Sequence, residues 1–339
     1  MTRKKKWEHV KRNFILSGML GSLALGGSCG RASGQTIAAT TGPATKVIID
    51  TDIGDDVDDA FALALALSDP HLQILGITTA WGDTDLRARL VERLLKQTGH
   101  ADTPVAAGPT TQPGTAFTQS AWAEAYPEPA KGWPNAVDFI LDQMRRNPGQ
   151  ITLISLAPLS NVGALLQKDP ATFRKLKRVV IMGGSIRQGY GDLGYLPDHG
   201  PDAEYNIKMD IPAAKALFSS GVPIEVMPLD STQLKLDEVL RGVLFSHKAP
   251  MTEALEALYQ QWAADSSNLT PTLYDAMAVA VVMKPELCPV TPMRLRIDDA
   301  GFTRVEDGAP NANLCLHSNA DPFFHFYLPQ LLGSAIPKK

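Results

Sequence analysis

Six predominantly apolar segments alternate with helix-forming segments along the chain, and this alternation constrains the fold more than any other feature of the sequence. The six segments are KVIID (46–50), LQILGITTA (72–80), PVAAG (104–108), ITLISLA (151–157), RVVIMGG (178–184) and IEVMPLD (224–230). Strands that are apolar on both faces belong in a buried sheet, and helices between successive strands make the pairing parallel. We therefore predict an α/β fold with a mostly parallel central sheet and helices on both faces. Residues 245–272 are predicted as a helical excursion from this single domain.

The first 45 residues differ in composition from the rest of the chain. Residues 1–34 carry seven Lys and Arg residues against one acid, Glu8, and the apolar segment FILSGMLGSLALGG (14–27) follows the basic start. A small-residue segment, GQTIAATTGPAT (34–45), comes next. A basic start, a short apolar segment and small residues are typical of an export signal. We predict an export signal and linker at 1–45 and one folded domain at 46–335.

The predicted signal bears on where the mature protein resides. VKRNFIL (10–16) resembles a twin-arginine signal in which Lys11 replaces the first arginine. Cys29 is a candidate lipid-attachment site, although Gly26 stands where lipoprotein signals usually have leucine. The apolar segment is too short to span a bilayer as a helix. We expect export to the periplasm or cell envelope without a transmembrane span, with a lipid anchor at Cys29 left open.

Charge and cysteine content bear on the partners of the folded part. The formal net charge is -4, and because residues 1–34 contribute +6, the remainder of the chain carries -10. A folded part with this much negative charge is a poor candidate for binding a nucleic-acid polymer, because contacts with phosphates need a basic surface. Cys288 and Cys315 could pair in an oxidising compartment, but the sequence leaves their pairing open.

Six aspartates lie within DTDIGDDVDD (50–59), at the end of the first apolar segment. In a parallel α/β sheet, ligands bind at this edge. A helix cap and the helix dipole explain two of these acids, but six like charges repel one another unless a cation neutralises them. Later strand ends add Asp83, Asn161 and Asp230, and Asp275 precedes an apolar helix. Oxygen ligands without a His/Cys cluster favour Ca²⁺ or Mg²⁺ over zinc or iron.

Five motifs in this order resemble one known family. They are DTDIGDDVDDAFAL (50–63), APLSN (157–161), MGGS (182–185), AEYNI (203–207) and YDAMAV (274–279). Together they resemble the inosine–uridine-preferring nucleoside hydrolases, calcium-dependent enzymes that cleave the N-glycosidic bond of ribonucleosides. The resemblance runs from Lys46 to about Leu332. It implies a Rossmann-like catalytic domain, a ribonucleoside substrate, release of free base and ribose, and a homodimer or homotetramer.

The resemblance also implies roles for individual residues. Calcium would be bound by Asp52, Asp59, the backbone carbonyl of Leu156, and Asp275. Asp58 would be the general base on a calcium-bound water. The ribose would be held by Asp83, Met182, Glu204 and Asn206. Tyr274 would face the departing base as the second catalytic residue.

The acidic turn is two residues longer than the family pattern. Either the pair Asp55–Asp56 or the pair Asp58–Asp59 could therefore supply the general base and the metal ligand. We favour Asp58–Asp59, because this pair keeps its register with the following helix AFALALAL (60–67).

Two further positions depart from the pattern. Asp83 replaces an asparagine and adds a negative charge. Tyr274 replaces a histidine acid, and a phenol is a much weaker acid than an imidazolium group. The residue that protonates the leaving base is therefore undecided, with His199 in the loop 186–203 as an alternative to Tyr274.

Other functions are compatible with parts of the pattern. An exported calcium-dependent protein that binds nucleosides or sugars without turnover would also need the acidic pocket, and so would a hydrolase of another N-ribosyl substrate. A haloacid-dehalogenase-like phosphatase would explain the Asp-x-Asp after a strand, but its lysine and later acidic pair have no good match. The base preference stays undetermined, because the loops around the base match the family least.

Overall fold

The computed structural model describes residues 44–112, 115–191, 199–266 and 269–333. All of the predicted signal, and all but the last two residues of the linker, lie outside these ranges. The strands in the described ranges are β1 (Thr45–Thr51), β2 (Leu72–Thr79), β3 (Val105–Ala107), β4 (Thr152–Ser155), β5 (Arg178–Met182), β6 (Ile224–Met227), β7 (Thr291–Ile297), β8 (Thr303–Glu306) and β9 (Ala312–Leu314).

Thirteen α-helices occur in the same ranges. The first seven are α1 (Asp58–Ser68), α2 (Thr84–Gln97), α3 (Ser120–Glu124), α4 (Ala136–Arg146), α5 (Ser160–Lys168), α6 (Pro170–Phe173) and α7 (Tyr205–Met209). The others are α8 (Ile211–Phe218), α9 (Leu229–Thr232), α10 (Glu238–Ser246), α11 (Pro250–Asp265), α12 (Ala276–Met283) and α13 (Ala320–Gly333).

The strands form one sheet in the order β3-β2-β1-β4-β5-β6-β9-β7-β8. All neighbours from β3 to β9 are parallel, whereas β7 pairs antiparallel with both β9 and β8. The predicted mostly parallel α/β sheet is confirmed. The six predicted segments correspond to β1–β6. The parallel strand β9 and the antiparallel extension formed by β7 and β8 were not predicted from the sequence.

Helices cover both faces of the sheet and form a hydrophobic core on each face. The strand β1 contributes side chains to both cores. Val47 and Ile49 pack in the core that also contains buried residues of α1, α2, α11 and α12. Ile48, between them, packs in the core with α4, α5 and α8. Because successive residues of a strand point to opposite faces, a strand between two helical layers must be apolar throughout.

The helices α1 and α12 explain how distant acids meet. Both are apolar on nearly every side, which is the pattern of a buried helix. They pack against each other. α1 begins at Asp58, and Asp275 immediately precedes α12. Burial of the two apolar helices therefore brings acids more than 200 positions apart in sequence to one place.

The carboxyl-terminal third adds the helical excursion and a disulfide. The predicted excursion corresponds to the end of α10 and all of α11. Cys288 and Cys315 form a disulfide with a Cα–Cα distance of 5.6 Å, which answers the question that the sequence left open. None of the helices in the described ranges has the length and apolar composition needed to cross a membrane.

Candidate active site

A cavity of about 420 Å³ opens beyond the carboxyl ends of β1, β4 and β5, the edge at which ligands of parallel sheets bind. Nine of the ten site residues predicted from the sequence line it: Asp52, Asp58, Asp59, Leu156, Met182, Glu204, Asn206, Tyr274 and Asp275. A larger groove of about 990 Å³ includes Ile224, the first residue of β6, and so lies away from this edge. Position and chemistry therefore favour the smaller cavity as the active site.

Three buried carboxylates meet in this cavity. Oxygen atoms of Asp58, Asp59 and Asp275 all lie within 4.8 Å of one another. Burial raises the pKa of all three carboxyl groups, and neighbouring carboxylates contribute to the rise. The pKa of Asp59 reaches about 7 as a result. The Thr51 hydroxyl donates a hydrogen bond to Asp59 and partly offsets this rise in its pKa. Buried carboxylates this close together repel one another, and their oxygen atoms are suitable ligands for a hard cation.

The two remaining predicted metal ligands lie beside this group. Burial and the nearby Asp59 carboxylate raise the pKa of Asp52 well above its ordinary value. The Leu156 carbonyl accepts a hydrogen bond of 2.7 Å from the Asn206 amide. A carbonyl oxygen has two lone pairs, so this bond leaves one available to a cation.

All four aspartates of the two pairs in the turn line the cavity, but their contacts differ. Asp58 and Asp59 lie with Asp275, as described above. Asp55 instead forms an ion pair of 3.0 Å with Arg87. Asp56 accepts a hydrogen bond from the backbone N–H of Val57 and lines the cavity beside the cluster. This grouping supports the prediction that Asp58–Asp59, rather than Asp55–Asp56, supplies the base and the metal ligand.

Glu204 and Asn206 are positioned by the first turn of α7. The Glu204 carboxylate caps that helix by accepting hydrogen bonds from the backbone N–H groups of Asn206 and Ile207, and it accepts a third from Gly184 at 2.9 Å. The Asn206 amide also donates to the Met182 carbonyl at 3.2 Å. Both polar side chains are thus buried and fixed at the cavity wall, rather than forming an ordinary polar strand end.

Asp83 is the predicted residue that the structure does not bring into the cavity. Its side chain is exposed and caps α2 by accepting a hydrogen bond of 3.0 Å from the Leu86 backbone N–H. It lines a separate surface groove together with Asp85, Glu124 and Glu128. Its predicted contact with the ribose has no support from this placement.

Two tyrosines form an aromatic wall of the cavity. The rings of Tyr190 and Tyr274 meet edge to face, with centroids 6.0 Å apart. Burial raises the pKa of Tyr274 to about 12, so its phenol stays protonated at neutral pH. Tyr190 belongs to the loop 186–203, of which residues 192–198 lie outside the described ranges. His199 contacts the Tyr190 carbonyl at 3.0 Å and lies outside the cavity lining.

Several cavity residues were missed from the sequence. They are Thr115, Ala116, Thr118, Tyr190, Tyr205 and Trp262. Most lie in loops, where the hydrophobic periodicity gives no signal. The repeated aromatic residues of the loop 186–203 were the one available indication, because aromatic side chains in a loop over a site suit stacking on a planar ligand.

Comparison with known proteins identifies the family. The model of the inosine-uridine preferring nucleoside hydrolases matches residues 47–325. The chain belongs to this family. The match covers nearly all of the predicted catalytic domain, and the enzyme is accordingly an N-glycosidase that hydrolyses ribonucleosides. The predicted recognition and activity are confirmed, and the family is metal-dependent, in agreement with the acidic cluster.

The proteins to which this chain is similar include named nucleoside hydrolases. The pyrimidine-specific ribonucleoside hydrolase RihB of Escherichia coli is 33% identical over 278 residues, which is 75% of this chain and 83% of that protein. An uncharacterized Schizosaccharomyces pombe protein is 36% identical over 200 residues, but the match spans only 55% of this chain and 62% of that one. A solved plant nucleoside hydrolase has the same fold, with a TM-score of 0.74 at 24% identity, covering 87% of this chain and 100% of its own.

Proposed function

We propose that this nucleoside hydrolase works with Ca²⁺ held by Asp52, Asp59, Asp275 and the Leu156 carbonyl. The observation that carries the proposal is the meeting of buried carboxylates within 4.8 Å at the sheet edge. Calcium accepts a mixture of carboxylates, carbonyls and waters, whereas Mg²⁺ demands a tighter octahedron. When bound, the ion supplies an anchor for the ribose hydroxyls and lowers the pKa of a water molecule.

Asp58 is the proposed general base. Its carboxylate is buried at the start of α1, among the other acids of the cavity. Burial raises its pKa, and a carboxylate with a raised pKa accepts a proton more readily than an exposed one. In our proposal Asp58 removes the proton from the water that attacks the anomeric carbon.

The other residues at the cavity wall are proposed to hold the ribose and to stabilise positive charge on it. Cleavage of an N-glycosidic bond passes through a cationic ribosyl group, as in glycoside hydrolysis. Glu204 and Asn206 are held at the cavity wall, where they can accept and donate hydrogen bonds to ribose hydroxyls, with Met182 packing beneath the ring. A negative surround favours the cationic transition state over the neutral substrate. Asp83 is the weakest member of the predicted ribose set, because it caps α2 outside the cavity.

The aromatic wall is the proposed contact for the base. Tyr274 and Tyr190 can stack on a planar ring or donate a hydrogen bond, but a phenol is too weak an acid to protonate a poor leaving group fully. Nucleosides whose bases leave easily are therefore expected to be better substrates than ordinary purine nucleosides. Uridine and cytidine belong in any substrate panel, since RihB is named as pyrimidine-specific.

One experiment tests these assignments together. Ribose release is measured over a panel of purine and pyrimidine nucleosides, first with the purified enzyme, then after chelation, and then after restoring Ca²⁺, Mg²⁺ or Zn²⁺ separately. We expect chelation to abolish turnover and Ca²⁺ to restore it best. Full activity in excess chelator would contradict the metal proposal, and nucleoside binding without ribose release would support a binding protein instead.

We also propose that the enzyme is exported and acts as a homodimer or homotetramer. The Cys288–Cys315 disulfide supports an oxidising compartment, since such bonds are rare in the cytosol. A lipid on Cys29 would place the enzyme at the cell envelope. Light scattering on the purified enzyme gives its molar mass and tests the oligomeric state.

A further inference from the structure

Arg87, on α2, is one of the largest fully buried side chains among the described residues, with 1% of it exposed. A guanidinium group stays charged in a protein, so its burial is costly unless its N–H groups find acceptors and its charge finds a partner. It does not line the cavity and makes no proposed contact with substrate. Its contacts therefore indicate what it supports.

The Arg87 guanidinium binds the acidic turn at three points. Nη1 donates to the backbone carbonyls of Asp52 and Ile53, the second at 3.0 Å. Nη2 forms the ion pair of 3.0 Å with the Asp55 carboxylate. Since Asp52 is a proposed metal ligand, the arginine fixes the backbone from which that ligand projects.

A fourth contact joins this turn to the neighbouring strand end. Arg87 Nε donates to the Trp81 carbonyl at 2.7 Å. Trp81 has a φ of 65°, in the left-handed region that bulky residues rarely adopt. Tertiary contacts must hold such a conformation, and this hydrogen bond is one of them. Arg87 thus ties the segments that follow β1 and β2 to each other.

The segment 115–119 binds the same turn. The Thr115 hydroxyl donates to the Asp55 carboxylate, and the Thr118 hydroxyl donates to the Asp55 carbonyl at 2.6 Å. The Gln119 amide donates to the Asp56 carbonyl at 2.7 Å. The ring of Phe117 lies 5.2 Å from the guanidinium carbon of Arg87. The arginine and this segment therefore form a clamp that holds the turn.

We propose that Arg87 is a positioning residue, which holds the acidic turn so that Asp52 is in its metal-binding place before the cation arrives. An irregular turn loses conformational freedom when it is ordered, and the like charges of this turn tend to spread it. A guanidinium group that fixes two of its carbonyls and pairs with one of its carboxylates counters both effects. This inference rests on the proposed metal site, and it assigns the arginine a function in that site.

The test uses the full-length enzyme and measures binding as well as turnover. Calcium affinity is determined by titration calorimetry on metal-depleted protein, alongside kcat, KM and metal-free Tm. In Arg87→Lys the ammonium keeps the charge but cannot span the same acceptors. We expect its Kd for Ca²⁺ to rise about tenfold or more, as for other residues that orient metal ligands. Arg89→Lys is the matched control, because Arg89 binds the Tyr126 carbonyl and Glu128 on the outer side of α2.

Arg87→Lys itself separates positioning from charge. Because the ammonium retains the positive charge beside Asp55, a change in the Kd for Ca²⁺ reports the lost carbonyl contacts. A Kd within threefold of the wild-type value in a folded Arg87→Lys would overturn the proposal. A lowered metal-free Tm in Arg87→Lys with unchanged Kd, kcat and KM would also overturn it, since that result describes a structural anchor only.

If Arg87→Lys does not fold, Gln119→Met decides the question. This variant removes one hydrogen bond to the turn without changing any charge, and we expect about a threefold to tenfold rise in the Kd for Ca²⁺. An unchanged Kd would refute the clamp. Failure of the wild-type enzyme to bind Ca²⁺ would refute the proposed function and this inference with it, whereas normal wild-type binding with an unaffected Arg87→Lys would refute the inference alone.

Discussion

Asp59→Asn should stabilise the metal-free enzyme even though it removes a proposed metal ligand. Two charges 4.8 Å apart repel by about 3 kcal/mol at an effective dielectric constant of about 20. The pKa of Asp59 rises from 3.8 to about 7, mainly through burial, which corresponds to about 4 kcal/mol of destabilisation when the group is ionised. An asparagine carries no charge and can still accept the hydrogen bond from Thr51. The metal-free variant should therefore gain up to about 4 kcal/mol.

The gain should depend on pH in one direction. The folded protein holds the Asp59 proton more tightly than the unfolded chain, so the ionisation of Asp59 destabilises the fold as pH rises. This destabilisation is absent below pH 3.8, the pKa of the group in the unfolded chain, and it increases between pH 3.8 and about 7. Above about pH 7 it has its full value. Metal-free wild type and Asp59→Asn should thus unfold at similar temperatures at pH 4, and differ most at pH 8.

Thermal unfolding in chelator and in calcium measures this difference. At pH 8 in chelator we expect the variant to melt about 5 to 10 °C above wild type. Calcium at a hundredfold excess over its Kd should add about 2.7 kcal/mol to wild type and almost nothing to the variant, so the gap narrows or reverses. The reasoning would be refuted if the variant were no more stable than wild type at pH 8, or if its gain in stability at pH 4 were as large as at pH 8. Either result would mean that the ionised Asp59 does not destabilise the metal-free fold.

The remaining predictions concern the base, the aromatic wall and the amino terminus. Asp58→Asn should lower kcat by about a hundredfold or more while calorimetry shows Ca²⁺ still bound; if Asp56→Asn has that effect instead, the roles belong to the other pair. Tyr274→Phe should lower kcat/KM only a few-fold, because a phenol contributes little as an acid, whereas a loss of several orders of magnitude would establish it as one. Tyr274→Ala should impair KM or kcat with the fold intact, and a lowered Tm without a kinetic change would make the tyrosine a packing residue. Mass spectrometry of the mature enzyme should find an amino terminus between about Cys29 and Lys46, and an intact Met1 in the envelope fraction would exclude cleavage.

The sequence predicted those parts of the fold in which hydrophobicity decides the outcome. The parallel strands β1–β6 could be recognised because each is mostly buried on both faces and therefore mostly apolar. β7, with the sequence TPMRLRI, alternates exposed and buried positions and carries two arginines, so it has no such signal. Its place depends on pairing with β9, and long-range pairing of this kind cannot be read from a local pattern.

The site followed the same division. The meeting of Asp58 and Asp59 with Asp275 was implied by the family resemblance, and the two almost wholly apolar helices that bring these acids together are visible in the sequence. Tyr190 could not be placed, because a loop residue is positioned by contacts outside its own segment. Arg87 did leave a trace: it precedes Leu90 and Leu94 by three and seven residues, and so lies on the buried face of α2. A charged residue on the buried face of a helix indicates that it has a buried partner.

The pairing of Arg87 with Asp55 also makes the two residues unequal in the consequences of their loss. Loss of Arg87 leaves a carboxylate that keeps the Thr115 hydroxyl as a donor. Loss of Asp55 leaves a buried guanidinium that cannot be neutralised, and a cation bound by Asp52 and Asp59, as we propose, would leave the charge of the guanidinium poorly compensated. The fold should therefore tolerate loss of the arginine better than loss of the aspartate.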